Sequence, residues 1–142
     1  MIGVKVQQYL GRARDFFKGM DFLKDDLARY RYSSALLGIH SAMSYSDALR
    51  VGMEDKSVSS DDHSDAARRL RKLLREQKAE DCKGVDHLAK LLGMKSKITY
   101  SAESSTEDEV KSIVQHATRF AAWAEMTGKR LKIEGWRDDR NA

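Results

Sequence analysis

Residues 29–53, RYRYSSALLGIHSAMSYSDALRVGM, decide how this chain is read. The stretch lacks proline and carries Ala, Leu, Ile, Met and Val on several helical faces. A helix that is apolar around most of its circumference belongs in the middle of a bundle, because only there is every face covered. The same stretch also holds polar residues that a central helix has to account for. On a wheel of 3.6 residues per turn, Leu36, His40, Met43, Asp47 and Val51 fall in one narrow sector, which predicts that His40 and Asp47 turn toward the core. Two turns, about 10 Å, separate them, so they cannot hydrogen-bond each other. A titratable group on a core-facing stripe costs several kcal/mol unless it is paired. Each therefore requires a partner from another element, either a hydroxyl such as that of Tyr30, Tyr32 or Tyr100, or a cleft that both residues line.

Working outward, Val6, Tyr9, Leu10, Ala13, Phe16, Phe17, Met20 and Leu23 recur at steps of three and four and predict a first helix over Val4–Leu23. Asp25 and Asp26 offer turn or cap oxygens before the second helix, Arg29–Met53. Gly52 and residues 54–60 read as a loop, and Ser60-Asp61-Asp62 as a cap with acids at the positive end of a third helix that runs to about Lys78. Its apolar stripe is Ala66, Ala67, Leu70, Leu73 and Leu74, and Arg and Lys fill the remaining faces. A short fourth helix, Val85–Leu92, is expected to end at Gly93, followed by an extended connector, Lys95–Ala102, anchored by Ile98 and Tyr100. Thr106-Glu107-Asp108-Glu109 has the spacing of a capping box. It opens a fifth helix to about Thr127, whose Val110, Val114, Ala117, Ala121 and Ala124 form a packing seam ended by Gly128. The expected fold is all-α, an antiparallel up-and-down bundle of about five helices over residues 1–128, with a mobile charged tail over 129–142 in which Trp136 is the one docking residue.

Composition agrees with one bundle. The chain has 142 residues, 41% hydrophobic and 34% charged, which supports a single core under a heavily solvated surface. A lone cysteine, Cys82, excludes an internal disulfide framework and fits a reducing, cytoplasmic setting. Met1–Asp15 has no apolar segment of the signal-peptide kind and contains Lys5, Arg12 and Arg14, and no apolar run is long enough for a membrane span. The net charge of +4 is compatible with phosphate-bearing partners and equally with a plain soluble surface.

Four features carry candidate chemistry. His40 and Asp47 on the second helix, with Asp62 and His63 at the start of the third, form the candidate ligand-binding set. His63 sits at a helix N-terminus, where a charged imidazolium is disfavoured, so a neutral ring suited to proton transfer is expected there. The basic face of the third helix is a solvated face or a phosphate-contacting strip, without aromatic residues for stacking. On the fifth helix His116, Arg119 and Trp123 share a face. Glycine-rich phosphate loops, nucleophile elbows, paired-cysteine zinc spacing and the Glu-x-x-His motif of di-iron bundles are all missing, so no metal and no cofactor is expected. Whether the chain is an enzyme is left open at this level.

The segment from Tyr32 through His40 to Asp47, then Ser60-Asp-Asp-His63, Leu91-Leu-Gly-Met-Lys95 and Val114-Gln-His116-Ala-Thr-Arg119-Phe120-Ala-Ala-Trp123, resembles the HEPN superfamily of small prokaryotic helical bundles. The resemblance covers roughly Tyr9–Ala124 and rests on helical patterns. It implies a side-by-side homodimer acting in nucleotide or RNA binding, in RNA cleavage, or in a toxin–antitoxin pair with a cognate nucleotidyltransferase. Ribonuclease members carry an Arg four to six residues before a His, and this chain departs from that pattern. The nearest cations are Lys56 before His63 and Lys111 before His116. Lysine keeps the charge without the planar two-pronged donation. His63, His116 and Lys111 are accordingly the catalytic candidates if a metal-independent ribonuclease is present. A bundle face that recognises another protein's helix is the remaining alternative.

Overall fold

A computed structural model describes residues 1–58, 63–100 (Tyr100 by its backbone alone) and 105–139. The chain forms α1 (Ile2–Leu23), a 3-10 turn (Lys24–Asp26), α2 (Leu27–Gly52), a second 3-10 turn (His63–Asp65), α3 (Ala66–Glu76), α4 (Gly84–Tyr100) and α5 (Glu107–Arg130). No strand occurs among the described residues, and no helix among them is long and apolar enough to cross a membrane. The all-α class expected from periodicity is therefore observed.

α2 is the centre of the bundle. It packs against α1, α3, α4 and α5, and every residue from Ser41 to Arg50 is buried. Around it lie Val6, Leu10, Ala13 and Met20 of α1, Leu70 and Leu74 of α3, Val85, Leu88 and Leu91 of α4, and Val110, Ile113, Ala117, Phe120 and Ala124 of α5. The capping box that opens α5 is present: Thr106 Oγ1 accepts from the Glu109 amide at 3.1 Å, while the Thr106 amide donates to Glu109 Oε1 at 3.3 Å.

Three expectations about helix ends are corrected. Gly93 does not stop α4, which continues to Tyr100 and replaces the expected extended connector. Gly93 itself faces open space, and Ile98 beyond it is buried, so the apolar pattern carries the helix through the glycine. Gly128 does not stop α5 either. It lies inside the helix because a Cβ there would come 2.1 Å from the Trp136 ring, so the missing side chain makes room for the indole. The helix stops instead use non-glycine residues in left-handed backbone: Glu54 (φ 67°), Lys78 (φ 56°) and Lys132 (φ 53°). After each, a paired set of turn hydrogen bonds closes the helix, such as Asp55 N–H to Arg50 O with Glu54 N–H to Val51 O, and Ile133 N–H to Gly128 O with Lys132 N–H to Lys129 O. Likewise α3 starts at Ala66, later than its acidic cluster indicates, and Ser59–Asp62, including the expected cap, lie outside the described residues.

The segment after α5 folds back on the bundle through Asp139. Ile133 is buried against Gly52, Arg137 O accepts from Arg14 at 2.6 Å, and Lys18 and Lys129 pair with Asp139 and Asp138. Gly135 (φ +87°) is needed where it crosses α1, since a Cβ would meet Gly3 O at 2.2 Å.

The two misread glycines respond oppositely to alanine. Gly93→Ala fills open space on a helix and is expected to stabilise by about 0.5–1 kcal/mol. Gly128→Ala displaces Trp136 and is expected to destabilise by about 1–3 kcal/mol despite the same gain in helix propensity. Urea denaturation of the two variants checks the opposite signs.

Candidate functional site

The buried run of α2 has polar side chains that water cannot serve: Ser41, Tyr45, Asp47 and Arg50 reach partners outside the helix, while Ser46 Oγ has none among the described residues. Ser41 Oγ donates to Ala13 O of α1 at 2.8 Å. Tyr45, 3% exposed, donates to Glu125 Oε2 of α5 at 2.8 Å, and Arg14 clamps the same carboxylate with Nε and one terminal nitrogen, both at 2.7 Å. Burial first, then the Glu125 charge, pushes the Tyr45 phenol up, so it stays un-ionised. Arg50, fully buried, donates Nε to Asp55 Oδ2 at 2.9 Å, and Arg69 of α3 holds both oxygens of Asp55 from the other side. The Arg69 hydrogen bonds lead, with Ser57 and Arg50 adding, in holding the Asp55 carboxyl far below the usual range.

Asp47 follows the same rule and gives the candidate site its anchor. It is 7% exposed, and its two oxygens lie 3.2 and 3.1 Å from Nε2 of His63 on the turn that precedes α3. Asp47 and His63 of the candidate set therefore come together. Tyr30 and Tyr32 are exposed, each beside a neighbouring arginine. His40 corrects the inward reading of α2: it is exposed, with its ring 5.7 Å from that of Phe16. His40 lies just before the fully covered run, on the N-terminal half of α2 where Arg29 and Ser33 are also exposed, so the same sector is open at His40 and closed at Asp47. His40 stays within electrostatic reach of the site, because partial burial first, then Lys95 of α4 and His63, hold its pKa below the ordinary histidine value. Asp62, the fourth candidate, lies outside the described residues. The arrangement is one inward carboxylate fixing one imidazole, with a second imidazole and an ammonium on its flank.

The other candidates separate. Lys111 is exposed and lines a shallow groove with Lys24, Asp25 and Asp108, away from His116. His116 instead meets His87 of α4, their Nδ1 atoms 2.9 Å apart, a pairing that a separation of 29 residues gave no means of seeing. Trp123 shares the α4-facing side of α5 with His116: it is buried, stacked on Phe120, packed over Gly84, and donates to Asp81 O at 3.3 Å. No group of three or more His, Cys, Asp or Glu residues placed to hold a metal ion occurs among the described residues.

Two grooves flank the bundle. One of about 660 Å³ lies over Arg14, Tyr45 and Glu125 beneath the returning tail. Its acids Glu125, Asp138 and Asp139 pair with Arg14, Lys129 and Lys18. The other, about 350 Å³, is lined by Lys5, Arg12 and Lys56 beside Tyr9, and Asp55 in its wall is already neutralised by Arg50 and Arg69.

The imidazoles set a pH dependence. His40, His87 and His116 all have pKa values below the ordinary one, burial being the leading cause for each, so the folded state binds fewer protons than the unfolded state near pH 6. Stability contributed this way is present above the unfolded value of about 6.5 and is lost as pH falls through it. The depressed Asp55 and Glu109 act only below the carboxylate range. The melting temperature is expected to fall between pH 7.5 and 5.5, and replacing both His87 and His116 by Asn is expected to flatten that slope. Calorimetric scans across the window measure both.

Protein-family models, curated proteins and solved structures were compared with the chain, and none of the three gives a match. The functional reading therefore rests on its residues and their geometry.

Proposed function

We propose that this chain is a binding module for a nucleotide or RNA, with the antiparallel HEPN-like topology and side-by-side homodimer that its sequence pattern suggests, and that the phosphate is received at His63, His40 and Lys95. The observation that carries this reading is the His63–Asp47 contact. A carboxylate that is almost inaccessible fixes the orientation of a half-buried imidazole, and His63 and Lys95 both lie near enough to His40 to hold the His40 pKa down after burial. Hydrogen bonds to an orienting acid set which ring nitrogen presents its proton, and an ammonium alongside supplies a point charge for phosphate. A separate groove lined by Lys5, Arg12 and Lys56 beside Tyr9, with Glu54 also in its wall, offers further cationic and aromatic surface. A cognate nucleotidyltransferase is the partner protein this reading suggests.

One observation favours a second reading. The same carboxylate–imidazole pair is the arrangement of a general base and its orienting acid, so His63 could move a proton in metal-independent RNA cleavage. Lys111 takes no part in it, and His116 belongs to a separate pair.

Titration calorimetry with ATP and with a short uridine oligonucleotide tests the first reading. Binding is expected to weaken about tenfold or more in Lys95→Glu and in His63→Ala, a loss of about 1.4 kcal/mol or more, and to fall with rising salt. Absence of binding by both probes, or binding indifferent to both substitutions, overturns it. Degradation of the oligonucleotide that disappears in Asp47→Asn selects the second reading.

A further inference from the structure

His87 and His116 stand apart from the site above, on α4 and α5, and both are half-buried, so their ring edges keep access to solvent. Their Nδ1 atoms are 2.9 Å apart and their ring centroids 5.1 Å, with the planes at 44°. Centroid and nitrogen separations of that size describe two rings meeting nearly head-on, one neutral imidazole donating an N–H to the lone pair of the other. Two bonds of about 2.0–2.1 Å from a zinc ion at a tetrahedral angle would place two imidazole nitrogens about 3.3 Å apart and their centroids about 5.2 Å apart. The observed centroids already have that separation. Tilting each ring in place opens the nitrogens by about 0.4 Å and turns both lone pairs onto one point, without movement of either helix.

We propose that His87 and His116 form a two-imidazole site for a borderline transition-metal cation of the zinc, nickel or copper class, bridging α4 to α5. Water completes the coordination, as the half-exposed position allows. The proton balance is simple. The metal-free pair carries one Nδ1–H, and on binding that proton moves through solvent to the Nε2 of the same ring, so both rings ligate as neutral imidazoles.

The surrounding charges act in two directions. Burial leads in depressing both pKa values. Arg119 and Lys90 depress both further, His87 does the same to His116, and Asp86 partly opposes this at His87. These cations keep the rings deprotonated, which is the state a metal requires, while their repulsion of a divalent ion weakens its hold. Asp86 is engaged by Arg71 at 2.6 Å, so it offers only partial compensation. Removing the Arg119 charge is therefore expected to strengthen binding.

The test adds zinc chloride or nickel chloride to the full chain at pH 7.5. The melting temperature is expected to rise by roughly 5–10 °C at about a hundredfold excess over Kd and to return on chelation. The rise is expected to disappear in His87→Ala and in His116→Ala, to persist in His40→Ala and His63→Ala, and to need several-fold less metal in Arg119→Gln. Imidazole nitrogen resonances of the unmutated chain provide a readout independent of any variant's folding: zinc is expected to shift Nδ1 of His87 and His116 together. No thermal response to either metal, a response that survives in both alanine variants at this pair, or nitrogen shifts confined to His40 and His63 each overturn the proposal.

Discussion

A helix covered on every side cannot leave its polar groups to water, and this constraint organises the molecule. From Ser41 to Arg50 α2 shows no exposed face, yet the run contains a tyrosine, an aspartate and an arginine. Each partner comes from a different part of the chain: Glu125 and Arg14 for Tyr45, His63 for Asp47, Asp55 and Arg69 for Arg50. Hydrophobic burial is non-directional and accepts many packings of helices around α2. The polar contacts accept few, because an unpaired buried donor or acceptor costs about 1–3 kcal/mol and a charge more. They select the rotation of α1 and α5 about the central helix and fix the position of the turn before α3.

The end of α2 shows the same logic locally. Glu54 in left-handed backbone turns the chain so that the Asp55 amide returns to Arg50 O, which brings the Asp55 carboxylate onto the Arg50 guanidinium five residues back. Arg69 closes the assembly from α3, so one aspartate receives two arginines, one of them fully buried. Breaking such a pair costs about 3–5 kcal/mol because it strands the buried charge. The cluster contributes to specificity of arrangement more than to net stability, since it ties the α2 terminus to α3 in a single register.

What was legible in the sequence follows from the range of each signal. The apolar stripes and the Thr106–Glu109 capping box are local and periodic, and the corresponding helices and cap are present. Helix ends were read from glycine, whereas this chain closes α2, α3 and α5 with Glu54, Lys78 and Lys132 and uses Gly128 for the close approach of an indole. Tertiary contact, invisible in a local window, decides which role a glycine has. The His40–Asp47 sector is half right because burial changes along α2: every residue from Ser41 to Arg50 is covered, whereas the N-terminal half, with Arg29, Ser33 and His40, keeps an exposed face that a helical wheel cannot show. His87 and His116 could not be paired from sequence, because no periodicity relates α4 to α5.

The two imidazole clusters differ in what holds them, and that difference separates their chemistry. His63 is tied to a carboxylate that cannot leave the core, so its ring orientation and tautomer are set by the fold before any ligand arrives. With Nε2–H given to Asp47, the neutral ring turns an Nδ1 lone pair outward, and only an imidazolium would offer a second N–H to an anion. Among the described residues His87 and His116 hydrogen-bond only each other, and their shared proton fixes neither tautomer. Such a pair releases its internal hydrogen bond when something better enters, and nearby Arg119 and Lys90 bias it toward the neutral form in which both rings offer lone pairs. Anchoring by a buried acid thus fixes the ring of one cluster, and the lack of such an anchor leaves the rings of the other able to turn toward an entering cation despite the positive charge around them.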